Sequence, residues 1–221
     1  MLKDIQSYAS LFPKDYTELR VQENRSTGIA ILNGDVVGNS HSATSGVSAR
    51  VFKDGNWGFS SNPNITDNAI ESVIKSSSEN VYFLNKRDTS RCGIILPETF
   101  VNFEKDFTTN KQKNTQKHWI DFLKILDDYI TDKYPKVKSR TIMLRALDME
   151  KSLLTATGST SYSMTPRAHL MVVLSAEKDG KPIELMEVYG GLGQLEDNFD
   201  NPQFYFEEID KHVQHLFSKV D

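Results

Sequence analysis

Cysteine is almost missing from this sequence. Cys92 stands alone among 221 residues, so no disulfide can close within the chain. No neighbouring histidine and carboxylate are arranged to activate its thiolate, which leaves it an inert packing role. The amino terminus lacks the basic start and continuous apolar stretch of a secretion signal, and no segment approaches the roughly 20 apolar residues of a membrane-crossing helix. These absences imply a reducing, cytoplasmic setting without membrane contact. Positive charge is not in surplus either: Lys and Arg total 26 against 30 Asp and Glu, a formal net charge of -4. Direct nucleic-acid binding is therefore not expected. A zincin motif is absent as well. His-Glu-x-x-His sets two imidazoles on one helix face with a glutamate to activate water, whereas His212-Val213-Gln214-His215 has the wrong spacing and no glutamate between. Its histidines are expected at a surface or interface, and His41, His118 and His169 are isolated in sequence.

What is present is punctuation. Asn33-Gly34, Asp54-Gly55 and Asp179-Gly180 supply the positive backbone angles of tight hairpin turns. Around the second of these, Val47, Ala49 and Val51 alternate with Ser48, Arg50 and Phe52, the pattern of a strand with one buried and one open face. Gly46 and Gly58 stand where a bulge or a close backbone approach tightens a sheet. Thr66 caps a helix whose apolar side is Ala69, Ile70, Val73 and Ile74, and a stripe from Leu2 to Phe12 precedes Pro13. A second helix starts at Thr115 and carries Trp119, Phe122, Leu123, Leu126, Tyr129 and Ile130 up to Pro135. A last one spans about Pro202 to Lys219. Short strands are expected at Val81 to Leu84 and Ile94 to Leu96, and longer ones between Arg140 and Tyr189. The sum predicts an α+β fold with curved antiparallel sheets and covering helices, in two sheet-containing units, residues 1–100 and 101–221.

No residue set reads as catalytic, cofactor-binding or metal-ligating. Ser159 to Ser163 offers hydroxyls without a base. Gly190-Gly191-Leu192-Gly193 lacks the lysine and hydroxyl of a phosphate loop and reads as a turn or bulge. Arg167 has planar donors suited to a peptide terminus or carboxylate, or to a salt bridge, and Arg50 can orient an interface. Trp57, Tyr162 and Tyr189 add aromatic area.

The run from Glu18 to the helix after Thr66 resembles the first domain of the TldD/PmbA family, through its Asn-Gly hairpin, Gly46-Val47-x-x-Arg50-Val51 and Asp54-Gly55-x-x-Gly58-Phe59. The helix from Thr115, the strands from Arg140 to Tyr189 and the glycines at 190 to 193 resemble that family's middle domain. Met164-Thr165-Pro166-Arg167 is closer to the TldD branch. The resemblance implies a cytoplasmic zinc-dependent peptidase or its non-catalytic partner, a modulator of DNA gyrase in the family's naming, acting on unfolded peptides. It also implies a homodimer or a TldD/PmbA-type heterodimer around a proteolytic chamber. Zinc would belong to a carboxy-terminal domain that these residues do not include, so the chain is expected to be the inactive front portion of a longer protein. Under the same resemblance Arg50, Trp57, Tyr162, Arg167, Tyr189, Gly191 and Gly193 become candidate peptide or interface contacts. A stand-alone peptide- or protein-binding α+β module is the alternative reading, and an enzyme whose site assembles only in space is a third.

Overall fold

The computed structural model describes residues 4–87 and 100–219. Cys92 and the strand expected at Ile94 to Leu96 lie outside the described residues. In chain order the elements are β1 (Tyr16–Leu32), β2 (Asp35–Lys53), β3 (Asn56–Asn62), α1 (Asp67–Asn85), β4 (Asn102–Asp106), α2 (Gln116–Lys133), β5 (Ser139–Thr155), β6 (Thr160–Lys178), β7 (Lys181–Leu192), α3 (Leu195–Asn198) and α4 (Phe206–Ser218). Short 3-10 turns occupy Gln6–Leu11 and Pro202–Tyr205. Val81 to Leu84 is the last turn of α1 rather than a strand.

The predicted turns are where they should be. Asn33 and Gly34 have φ of 49° and 89°, Asp54 and Gly55 50° and 92°, Asp179 and Gly180 51° and 73°. Positive angles at both central residues match the right-handed twist of the strands they join. Beyond the second turn, Val51 pairs with Gly58 and Phe52 with Trp57 in antiparallel register.

The expectation of two sheet-containing units with curved antiparallel sheets is overturned. All strands among the described residues join one seven-stranded sheet in the order β3-β2-β1-β5-β6-β4, with β7 also on β6. One pairing, β4 with β6, is parallel. The reason lies in strand length. Polar runs such as Gln22 to Thr27 and Asn39 to Ser45 interrupt the apolar alternation and read as strand ends. Backbone pairing does not require apolar side chains, however, and β1 and β2 continue through those runs for 17 and 19 residues.

Two compact units divide the chain. The first holds residues up to Asn24, Ala43–Phe107 and Met149–Thr165. Its core sets Leu19, Val21, Val47, Ala49 and Leu154 against Ala69, Ile70, Val73 and Ile74 of α1, with Ile5 beside them. Each large aliphatic side chain buried there contributes roughly 1.5–3 kcal/mol. Thr66 Oγ1 accepts from the Ala69 amide at 3.2 Å, satisfying one of the helix's orphan donors. The Ser77 hydroxyl, buried, lies 2.8 Å from the Ala49 carbonyl and 2.6 Å from that of Val73.

The second unit holds Arg25–Ser42, Thr108–Asp148 and the residues from Pro166 onward. Trp119, Phe122, Leu123, Leu126 and Ile130 of α2, with Ile209, Val213 and Leu216 of α4, cover Ile29, Ile31, Ile142, Leu144, Leu170, Val172 and Leu174 on the strands. Phe199 is fully buried and meets Phe122 edge-on, ring centroids 6.2 Å apart. Among the described residues an ion pair enters this interior: Arg140 Nε and Nη2 donate to Asp127 Oδ1 and Oδ2 at 2.9 and 3.3 Å.

Candidate functional site

In the second unit the alternation that turns Ile29, Ile142, Leu144, Ala168 and Leu170 toward the helices turns Gly28, Ala30, Met143, Arg145, Arg167 and His169 the other way. That second face carries a cleft of about 570 Å³. Its depth follows from side-chain size. Gly28, Ala30 and Gly38 leave β1 and β2 nearly bare, and they are close enough that a Cβ on Gly38 would meet Ala30 Cβ at 3.3 Å. Met143, Arg145, Leu147, Arg167 and His169 on β5 and β6 stand up beside this floor. A mostly apolar hollow with a few convergent polar groups is the usual form of a ligand site.

The charges make the cleft distinctive. Arg145 and Arg167 are both exposed, and among the described residues neither makes an ion pair or a side-chain hydrogen bond. Other arginines are engaged: Arg140 holds Asp127, and Arg50 pairs with Glu18 at 2.5 Å while lying 4.6 Å over the Trp57 ring. The Thr155 amide donates to the Ser159 carbonyl and the Lys138 amide to that of Ser175. These bonds set β5 antiparallel to β6 and bring Arg145 opposite the Ala168–His169 step.

The other sequence-predicted contacts are dispersed. Arg50 and Trp57 belong to the first unit, where Tyr16 and Phe52 pack on the indole with centroids 6.0 and 5.0 Å away. Tyr162 is buried in that unit and its hydroxyl donates to Glu150 Oε1 at 3.0 Å. Tyr189 faces the helices of the second unit beside Tyr205, centroids 5.5 Å apart. Burial, followed by the charges of Glu187 and Glu208, pushes its phenol up to about 12. Gly191 pairs with Ala168 and leaves open space where a side chain would stand, while Gly193 turns the chain at φ 113° and donates its amide to Pro166. Leu192 between them pairs with Arg167. Of the predicted contacts, then, Arg167 lines the cleft, and Arg145 and His169 join it there. Sequence reading passed over Arg145. Its strand carries apolar residues on both faces, Met143 and Leu147 beside it and Leu144 and Ala146 alternating with it, and a lone guanidinium on such a strand was the available signal.

A metal finds no home among the described residues, where no group of three or more His, Cys, Asp or Glu is placed to hold one. His212, expected at a surface or interface, is buried in the core with Nε2 3.1 Å from the Leu185 carbonyl, while His215 is exposed. Zinc therefore does not fit this set of side chains. No helix among the described residues is long and apolar enough to cross a membrane.

Residues 17–81 match the family PmbA/TldA metallopeptidase domain 1. That family match is confined to this segment of the chain. Its fold is also similar to solved structures. A proposed modulator of DNA gyrase from Thermotoga maritima superposes with a TM-score of 0.65 at 16% identity, covering 89% of this chain and 43% of that one. One from Bacteroides thetaiotaomicron gives 0.66 at 12%, covering 97% and 48%. TldE from Thermococcus kodakarensis gives 0.62 at 12%, covering 97% and 47%. This chain thus spans less than half the length of each of these structures. Curated proteins yield no match.

Proposed function

We propose that this chain is the non-catalytic, amino-terminal scaffold and substrate-channel portion of a TldD/PmbA-type zinc metallopeptidase acting on unfolded peptides. In this reading residues 1–100 serve as the family's first domain and 101–221 as its middle domain. Zinc and catalysis belong to a carboxy-terminal domain outside these residues, and the working form is a cytoplasmic homodimer or TldD/PmbA-type heterodimer. Nucleic acid is not a direct ligand.

The observation that carries the reading is the cleft on the second unit. A preformed apolar hollow on a hydrogen-bonded sheet, edged by two guanidinium groups without protein partners among the described residues, suits a polypeptide. The chain supplies binding and orientation here, not bond cleavage.

The test is to mix purified residues 1–221 with a fluorescent, permanently denatured casein, with and without added zinc. Saturable binding without hydrolysis is expected. Hydrolysis that a chelator abolishes and zinc restores would overturn the non-catalytic assignment, and absence of binding would remove the channel role. Mass measured over a concentration series, alone and with a candidate TldD/PmbA-type partner, tests assembly; a monomer throughout would end that part of the proposal.

A further inference from the structure

Resting on that reading of the cleft, we infer that it selects extended peptides bearing an acidic side chain two positions from an apolar one. Arg145 and Arg167 project from adjacent strands into one hollow, and no carboxylate among the described residues neutralises either. Elsewhere in the same unit guanidinium is matched, Arg140 by both oxygens of Asp127. Planar guanidinium groups bind carboxylates through parallel N–H donors, and two of them beside an apolar wall hold an anion better than water-exposed lysines would.

The spacing of the ligand follows from the sheet. Along β5 the residues sharing the cleft face are Met143, Arg145 and Leu147, so apolar and cationic groups alternate at strand spacing on that face. An extended peptide repeats on one side every second residue as well. A carboxylate set between the arginines therefore places its next same-side residue against Met143 or Leu147. Arg145 and Arg167 stand at mid-strand positions of β5 and β6, so a peptide lying over this face passes through the hollow. That favours a side-chain carboxylate over a terminal one. His169, half-buried on the same face, adds an imidazole N–H donor beside the pair.

Fluorescence anisotropy with the full chain at low salt reads the prediction directly. The probes are a short unstructured peptide with Glu two residues from Leu, the same peptide with Glu→Gln, its carboxy-terminally amidated form, and a thymidine oligonucleotide. Loss of the carboxylate is expected to weaken binding about tenfold, with amidation having no effect and the oligonucleotide not binding. Arg145→Met and Arg167→Met should each erase most of the Glu-over-Gln preference, and the double Glu substitution at these positions should prefer a lysine peptide. Circular dichroism checks that the variants stay folded.

Equal binding of the Glu and Gln peptides would overturn the selectivity and leave the cleft a peptide site. Binding lost on amidation would overturn it in favour of a terminal carboxylate, and oligonucleotide binding of matching affinity in favour of a general anion site. Failure of every peptide to bind would overturn the underlying reading as well.

Discussion

A Cβ placed on Gly58 would stand 2.0 Å from the carbonyl oxygen of Ser77, so α1 crosses β3 backbone against backbone at this pair. The Val81 amide nitrogen is the next atom, at 2.6 Å. Neither can retreat without the helix moving. Gly58→Ala is expected to cost roughly 3 kcal/mol, the range of overpacking that backbone shifts must absorb. Gly191→Ala, whose Cβ would meet nothing within 4 Å, should leave stability unchanged. Urea denaturation of both variants checks the contrast; a neutral Gly58→Ala would refute the close crossing.

The Arg140–Asp127 pair gives a second expectation. Its side chains are 13% and 4% exposed, so removing one partner strands the other charge away from water. Arg140→Ala alone should destabilise by about 3 kcal/mol, whereas Arg140→Met with Asp127→Leu should lose far less because no buried charge remains. Equal losses in the single and double variants would show that packing, not charge, sets the cost.

His212 makes stability fall in acid. Burial lowers its pKa first of all, against the opposing carbonyl of Leu185 and carboxylate of Glu187, and with His215 adding to the depression. Nδ1 is buried without a partner among the described residues. A depressed folded-state value means the unfolded chain takes the proton more readily, so this contribution is full above about 6.5 and is lost as pH falls toward the folded value. His212→Gln should flatten that part of the profile between neutral and mildly acid pH. An unchanged slope in the variant would refute the assignment.

Tyr189 acts at the other end. Its folded pKa is raised to about 12, so the folded chain keeps the phenol proton that the unfolded chain gives up. Its contribution is complete below about 10, the ordinary tyrosine value, and is lost as pH climbs through the folded one. Tyr189→Phe should therefore be more resistant to alkaline unfolding than the native chain, relative to each protein's stability at neutral pH. Ultraviolet titration of the phenolates provides the independent check.

Much of the local structure was legible because it is decided locally. Asn33-Gly34 and Asp54-Gly55 adopt the angles their residue types permit, Thr66 and Thr115 cap the helices that follow them, and the buried faces of α1 and α2 are the stripes their spacing drew. The sheet was misread for a physical reason. Strand continuity through Gln22 to Thr27 depends on hydrogen bonds supplied by neighbouring strands, and those bonds leave no mark on side-chain polarity.

The site divided in the same way. Sequence by itself determined that Arg50, Arg140, Arg145 and Arg167 were present as donors. Only the tertiary structure decided their fates, bringing Glu18 to Arg50 from 32 residues away, Asp127 to Arg140 from a helix, and no carboxylate among the described residues to Arg145 or Arg167. A charge is written in one residue, but whether it is spent inside the fold or left for a ligand depends on partners that only long-range folding assembles.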